Sequence, residues 1–270
     1  MTGGNDERTA VPVSASSDDL EELLAATNGL FVGLDFDGTL APIATDPTAP
    51  TITPANRHAV DRLASRPNVS VAVVSGRALS DLVERVGVDA VTYSGNHGLE
   101  RRHDGERTVT ADAAEYRPAM QSLVDRLRDD LDDVPGALVE DKELTLTVHY
   151  RRTPSAAIEA VRSAVDRAVS SVDSDLLVVD GKGVFEVRPA VDHDKGTVVS
   201  DLADDTPVNW LPMYVGDDTT DEDAFEAIAP GGVGVLVGER DETAATHRLP
   251  SQADVAPFLD WLVEKSFEQA

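Results

Sequence analysis

Apolar positions along the chain follow two rhythms. Leu20, Leu23 and Leu24 recur at helical spacing between Asp18 and Thr27, and the apolar run Leu30 to Leu34 that follows fits a strand buried on both faces and ending at Asp35. Thr53-Pro54 opens a second helix to about Arg66, with proline in the first turn, where its missing N–H costs nothing. Val69 to Val74 reads as a short strand, Ala78 to Val86 as a helix and Ala90 to Tyr93 as a third strand. Strands alternating with helices predict a doubly wound parallel sheet, an α/β fold.

The rhythm changes at about Arg101. A helix over Tyr116 to Leu131 precedes strands over Ala137 to Glu140 and Glu143 to Tyr150, the second alternating with period two and therefore covered on one face. A helix over Pro154 to Val172 then leads to a hairpin of Asp175 to Val179 and Gly183 to Arg188, closed by the turn Asp180-Gly181-Lys182-Gly183. Helices near Asp194, over Asp221 to Ala229 and over Val255 to Lys265, with strands Pro212 to Val215 and Gly232 to Val237, restore the parallel pattern. The expected organisation is a loose tail over 1–18, a core over 19–103 and 190–270, and an inserted α+β cap over 104–189 lying over the site.

Chemistry gathers at the ends of the core strands, where open α/β sheets place their ligands. Asp35 and Asp37 end the first strand, and Gly38 permits a sharp exit and a close backbone approach. Ser75-Gly76-Arg77 follows the second strand and precedes a helix, a natural oxyanion site, although an N-capping serine would look the same. Gly95-Asn96-His97-Gly98-Leu99-Glu100 ends the third, Lys195-Gly196 opens the helix after the insert, and Gly216-Asp217-Asp218-Thr219-Thr220-Asp221 ends a later strand with three acids that suit a hard cation or a helix first turn. Taken singly each has a bland explanation. Together they supply a nucleophile, an acid, a cation site and fixed positive donors, the parts of a phosphoryl-transfer site.

Composition narrows the field. Fifty acidic and 23 basic residues give 270 residues a net charge of −27, spread over the whole chain, as expected of a halophilic protein whose self-repulsion is screened by salt. Such a coat repels nucleic acid and anionic membrane, so neither is an expected partner. No run of 18 apolar residues suggests a spanning helix, the N-terminal stretch lacks the apolar segment of a signal peptide, and a cytoplasmic protein is expected, with a monomer as the default. Without cysteine there is no disulfide, thiol nucleophile or thiolate metal site. Only four lysines occur, Lys142, Lys182, Lys195 and Lys265, so each invites a reason beyond surface charge.

The order and wording of Asp35-Phe36-Asp37-Gly38-Thr39, Ser75-Gly76-Arg77, Lys195-Gly196 and Gly216-Asp217-Asp218 resemble the four motifs of haloacid dehalogenase (HAD) superfamily phosphatases, which implies a Rossmann-like core carrying a cap. Ala41-Pro42-Ile43, the Gly95 to Glu100 segment, Gly181 to Pro189 and Asp217 to Phe225 resemble the trehalose-6-phosphate phosphatases more narrowly. The resemblance implies Asp35 as nucleophile, Asp37 as acid and base, and Ser75 and Lys195 as phosphoryl-neutralising groups. It implies Mg²⁺ held by Asp35, the Asp37 carbonyl and Asp217, with Asp218 and Asp221 acting through waters or on Lys195. It also implies sugar contacts from Glu100, Lys182 and Glu186, with Arg77, Asn96, His97 and Arg102 beside them. The expected reaction is Mg²⁺-dependent hydrolysis of trehalose 6-phosphate through an aspartyl phosphate. Open alternatives are a capped phosphatase for sucrose phosphate, mannosylglycerate phosphate or a sugar monophosphate, a phosphomutase, and an acidic regulatory or metal-binding protein with a decayed site.

Overall fold

The computed structural model describes residues 10–13, 17–44 and 50–265, and contacts divide the chain into two compact units, one up to Arg107 and again from His193, the other Thr108–Asp192. In chain order the first unit contributes β1 (Val11–Pro12), α1 (Ser17–Ala25), β2 (Gly29–Asp35), α2 (Pro54–Ala64), β3 (Val69–Val74), α3 (Leu79–Val86), β4 (Thr92–Gly95), β5 (Glu100–His103) and β6 (Glu106–Val109), which runs across the boundary. The second unit contributes α4 (Ala111–Ala114), α5 (Arg117–Leu131), β7 (Leu138–Asp141), β8 (Leu146–His149), α6 (Ile158–Val169), β9 (Leu176–Gly181) and β10 (Val184–Pro189). The chain then returns with α7 (Lys195–Asp204), β11 (Trp210–Gly216), α8 (Glu222–Ile228), β12 (Val233–Val237), β13 (His247–Leu249) and α9 (Val255–Lys265).

The large sheet has the order β1-β13-β12-β11-β2-β3-β4-β5-β6 and is parallel from β1 to β4. All seven residues of β2 are buried, as a strand covered on both faces requires. Leu30, Val32 and Leu34 point into one core with α2 and α9, and Phe31 into another with Val198, Tyr214 and Phe225. Local chemistry sets the helix starts. The Thr53 hydroxyl accepts from Asn56 N at 3.1 Å ahead of Pro54, and the Asp194 carboxylate accepts from Thr197 N at 2.7 Å, which makes Lys195 the first residue of α7. Strand order reverses between β2 and β11, so the crevice beyond their C-terminal ends is the topological switch point of the sheet. Register delivers the motifs there. Asp35 pairs with Val74, so Ser75 lies one step beyond, and Val215 pairs with Leu34, which carries Gly216 and Asp217 out beside Asp35.

In the second unit an antiparallel sheet, β7-β8-β10-β9, packs Leu146, Val148, Phe185 and Val187 against Leu123, Leu127, Val161 and Val165 of α5 and α6. Thr147 lies on the other face, opposite Glu140 and Glu186.

Several expectations need correction. Of the segment expected to be a loose tail, Val11 and Pro12 form an edge strand on β13, Ala10 is buried and Ser17 begins α1; residues 1–9 and 14–16 lie outside the described residues. The third strand falls two residues later, at Thr92–Gly95, because Val88 and Val91 are held in the connection, where the Tyr93 hydroxyl bonds Val88. The change of pattern expected at about Arg101 falls later, since strands β5 and β6 occupy Glu100–His103 and Glu106–Val109. The β5–β6 pair extends the large sheet, and this moves the unit boundary to Arg107. The strand expected from Glu143 starts at Leu146, since Glu143 adopts a left-handed φ of 66° in a tight turn. Among the described residues no helix is long and apolar enough to cross a membrane.

Candidate active site

Lys195 is the hub of the switch point. Its ammonium, 5 % exposed, donates to Asp35 Oδ1 at 2.7 Å and to Asp221 Oδ1 at 2.6 Å. Asp221, fully buried, is also bonded by the Tyr214 hydroxyl at 2.8 Å on Oδ1 and by the backbone N–H groups of Asp217 and Asp218, each at 2.9 Å, on Oδ2. Four donors fill the acceptor sites of a carboxylate. Asp221 is thereby a fixed bracket joining Lys195 to the acidic turn after β11.

Three carboxylates, Asp35, Asp217 and Asp221, bring oxygens within 4.8 Å of one another, and this one ammonium lies among them. Burial, opposed by Lys195 and reinforced by Asp221 and Asp217, pushes the Asp35 carboxyl well above the usual range. Burial with Asp221 and Asp218 pushes Asp217 to about 7. Burial alone would discharge Lys195, but Asp221 and Asp35 outweigh it and hold the ammonium charged. Tyr214, buried against the same carboxylates, is held protonated. The surplus negative charge fits a hard divalent cation. Asp217 Oδ1 is buried without a hydrogen-bond partner, and Gly38, at φ +92°, brings bare backbone so near that a Cβ there would lie 2.1 Å from Asp217 Oδ2. With Asp221 saturated, the oxygens suited to such a cation are those of Asp35 and Asp217.

Asp37 lies beside this cluster. Arg77 grips both its oxygens, Nε to Oδ2 at 2.6 Å and Nη2 to Oδ1 at 2.7 Å, while its third nitrogen reaches Asp81 at 3.0 Å and its Cζ lies 5.3 Å from the Phe36 ring centre. Expected as a sugar contact, Arg77 instead orients the candidate acid, a bidentate geometry that fixes a carboxylate in plane. Ser75, 3 % exposed, accepts from Arg77 N at 3.2 Å. Asn96 and His97 hold left-handed φ values of 49° and 56°, and their N–H groups bond Arg77 O at 2.7 Å and Ser75 O at 3.2 Å, folding this loop onto the serine motif. Backbone strain of this kind, roughly 1–3 kcal/mol per residue, persists where surrounding contacts impose it.

Glu100 and Asn96 depart from the expectation of sugar contact. Glu100 is 1 % exposed, its Oε1 accepting from Asn96 Nδ2 at 2.6 Å and Leu79 N at 3.0 Å and its Oε2 from Arg107 at 2.6 Å. Both side chains face inward and anchor the start of α3. Arg102 is half-buried on β5 opposite Tyr93. Asp218 is half-exposed and directed towards Arg240 at 3.7 Å. In the second unit Lys182 is exposed in its hairpin turn, and Glu186 pairs with the nearly buried Lys142 at 3.4 Å.

Sequence reasoning missed Tyr214, Arg240, Asp81 and Arg107. Of these only Tyr214 left a trace, a glycine inside the apolar strand opposite it.

The sequence profile of the family described as trehalose-phosphatase matches residues 33–253. A trehalose-phosphate phosphatase of Mycobacterium marinum is 39 % identical over 243 residues, covering 87 % of this chain and 61 % of its own length. The chain thus spans about three fifths of the curated relatives it matches. Among solved structures, the C-terminal domain of Candida albicans trehalose-6-phosphate phosphatase superposes with a TM-score of 0.77 at 25 % identity, covering 95 % of this chain and 99 % of that one. A trehalose-6-phosphate phosphatase related protein gives a TM-score of 0.77 at 22 % identity, covering 87 % and 97 %.

Proposed function

From the chain's membership of the trehalose-phosphatase family, we propose that it hydrolyses trehalose 6-phosphate to trehalose and phosphate, with Asp35 as nucleophile. The observation that carries the reading is Lys195 bonded to both Asp35 and Asp221 at the switch point. With Lys195 on Oδ1, Asp35 attacks phosphorus through Oδ2; a P–O bond forms to Asp35 as the bond to the sugar O6 breaks, and Asp37 gives its proton to that oxygen. Water then attacks the aspartyl phosphate, Asp37 takes its proton, and phosphate leaves with Asp35 restored. Ser75 and Lys195 offset charge on the phosphoryl oxygens, and Arg77 keeps Asp37 aimed.

Asp35, Asp217 and the Asp37 carbonyl would hold Mg²⁺, with Asp218 beside them, and the ion would supply charge neutralisation at the phosphoryl group. Lys182 and Glu186, with His97 and Arg102, are proposed sugar contacts. The acidic composition supports work in a salt-rich cytoplasm.

The test is phosphate release from a panel of sugar phosphates, with Mg²⁺ at molar salt, against Asp35→Asn. Wild type should prefer trehalose 6-phosphate and the variant should lose several orders of magnitude. Variant turnover within about tenfold of wild type would remove Asp35 from its role.

A further inference from the structure

We infer that Tyr214 is a positioning residue for the phosphoryl site: its buried hydroxyl fixes the Asp221 carboxylate and, through it, the Lys195 ammonium. This rests on the reading of Lys195 as the cation facing the phosphoryl group.

Packing alone does not call for a tyrosine here. Its ring is fully buried between the sheet and α8, edge-on to Phe225 at 5.7 Å and 69°, a setting that phenylalanine would fill equally well. What phenylalanine lacks is the hydroxyl, which reaches the Asp221 oxygen that also receives Lys195. Two backbone N–H groups hold the other oxygen, so the four donors together block rotation of the carboxylate about its last bond. Without the hydroxyl, Asp221 Oδ1 is held by Lys195 alone, and the ammonium loses its fixed reference on the side away from Asp35.

The neighbouring strand makes room for this ring. Gly33 is the direct register partner of Tyr214, and a Cβ there would lie 2.6 Å from ring Cδ2. Glycine inside a strand is unfavourable by roughly 0.5–1 kcal/mol relative to alanine. It occurs here two residues before Asp35, on the strand that delivers the nucleophile. Ring and bare backbone interlock β2 with β11, while the hydroxyl ties β11 to α7 through Asp221 and Lys195.

The test is Tyr214→Phe. The loss of a hydrogen bond to a charged group corresponds to a fall of roughly tenfold or more, and kcat/KM should drop by that factor equally on trehalose 6-phosphate and on p-nitrophenyl phosphate, because the effect lies at the phosphoryl group. In an Asp221→Ala background, where the hydroxyl has no side-chain oxygen to hold, the same change should add nothing. A readout independent of turnover comes from the four lysines. With ¹⁵N-labelled lysine, the Lys195 ammonium signal, identified by its loss in Lys195→Met, should shift and exchange faster in Tyr214→Phe, while those of Lys142, Lys182 and Lys265 stay put. An unmoved Lys195 signal, or an equal loss of activity with and without Asp221, would overturn the inference. If wild type releases phosphate from neither substrate, the functional reading fails, and the ammonium signal still decides whether Tyr214 positions Lys195.

Discussion

Replacing Asp221 by Asn keeps the shape of the side chain and turns one oxygen into an NH₂ group. Asp221 accepts from Lys195 and Tyr214 on one oxygen and from the Asp217 and Asp218 N–H groups on the other. An asparagine with its oxygen towards Lys195 sets its NH₂ against two backbone donors; turned over, the NH₂ meets the ammonium. Either way two buried donors lose their acceptor, at about 1–3 kcal/mol each. One favourable term opposes this, because Asp221 is among the charges that push Asp35 and Asp217 upward, and its removal relaxes both. The net expectation is a loss of about 2–4 kcal/mol, or about 5–15 °C in melting temperature for a chain of this size. Melts of wild type and variant at neutral pH, in about 2 M KCl with a chelator present to keep metal out, read the first effect. Titration of Asp217 by carboxyl NMR reads the second, which should move down from about 7. A melting temperature unchanged within about 2 °C, together with an unmoved Asp217 titration, would mean that Asp221 is not the bracket described above.

Asp217 also sets a pH dependence: held near 7 in the folded, metal-free protein against an ordinary 3.8, it keeps a proton that the unfolded chain releases. The stability it contributes is complete below about pH 4 and vanishes as pH rises through about 7. The melting temperature of chelated protein should therefore fall across that window and Mg²⁺ should restore it most at the alkaline end; a Mg²⁺ effect independent of pH would refute the site. A net charge of −27 predicts that melting temperature and activity both rise from dilute buffer to molar salt, and a flat profile would sink the halophilic reading. Replacing Lys182 and Glu186 by Ala should cost trehalose 6-phosphate catalysis about 2–4 kcal/mol and barely touch p-nitrophenyl phosphate. Equal losses on both substrates would assign the pair to folding rather than to the sugar.

The parallel core was legible because each buried strand is a compact apolar run and each covering helix carries an apolar stripe, so the strand Val69–Val74 and the helix Val255–Lys265 fall where the pattern puts them. The short strands at the β1 end of the sheet were not. Val11–Pro12 and His247–Leu249 are two and three residues long, too short to show a strand pattern of their own, and are defined by their pairing in the sheet. The hairpin Glu100–His103 with Glu106–Val109 is almost wholly polar and carries no periodic signal. The same division runs through the site. The acids and Lys195 were legible as motifs, since a strand end followed by such residues has few other uses. What each side chain touches was not: Glu100 in the same motif as His97 turns inward to Arg107, and Arg240 reaches Asp218 from 22 residues away in sequence.

Lysine usage joins the composition to the chemistry. With 23 basic residues and four lysines, the chain uses arginine at the other 19 basic positions. Arg77 shows what arginine does well, two parallel bonds to one carboxylate in a single plane. Lys195 has a different task. It must serve Asp35 at the end of β2 and Asp221 in the turn after β11, two separate carboxylates, from an enclosed position. An ammonium does this from a single atom with three diverging N–H bonds, whereas a guanidinium, which can also bridge two carboxylates as Arg77 does for Asp37 and Asp81, is planar and of larger volume. Selection for arginine over most of the surface therefore leaves lysine visible where a compact point charge is required, and Lys195 is the position at which the geometry requires one.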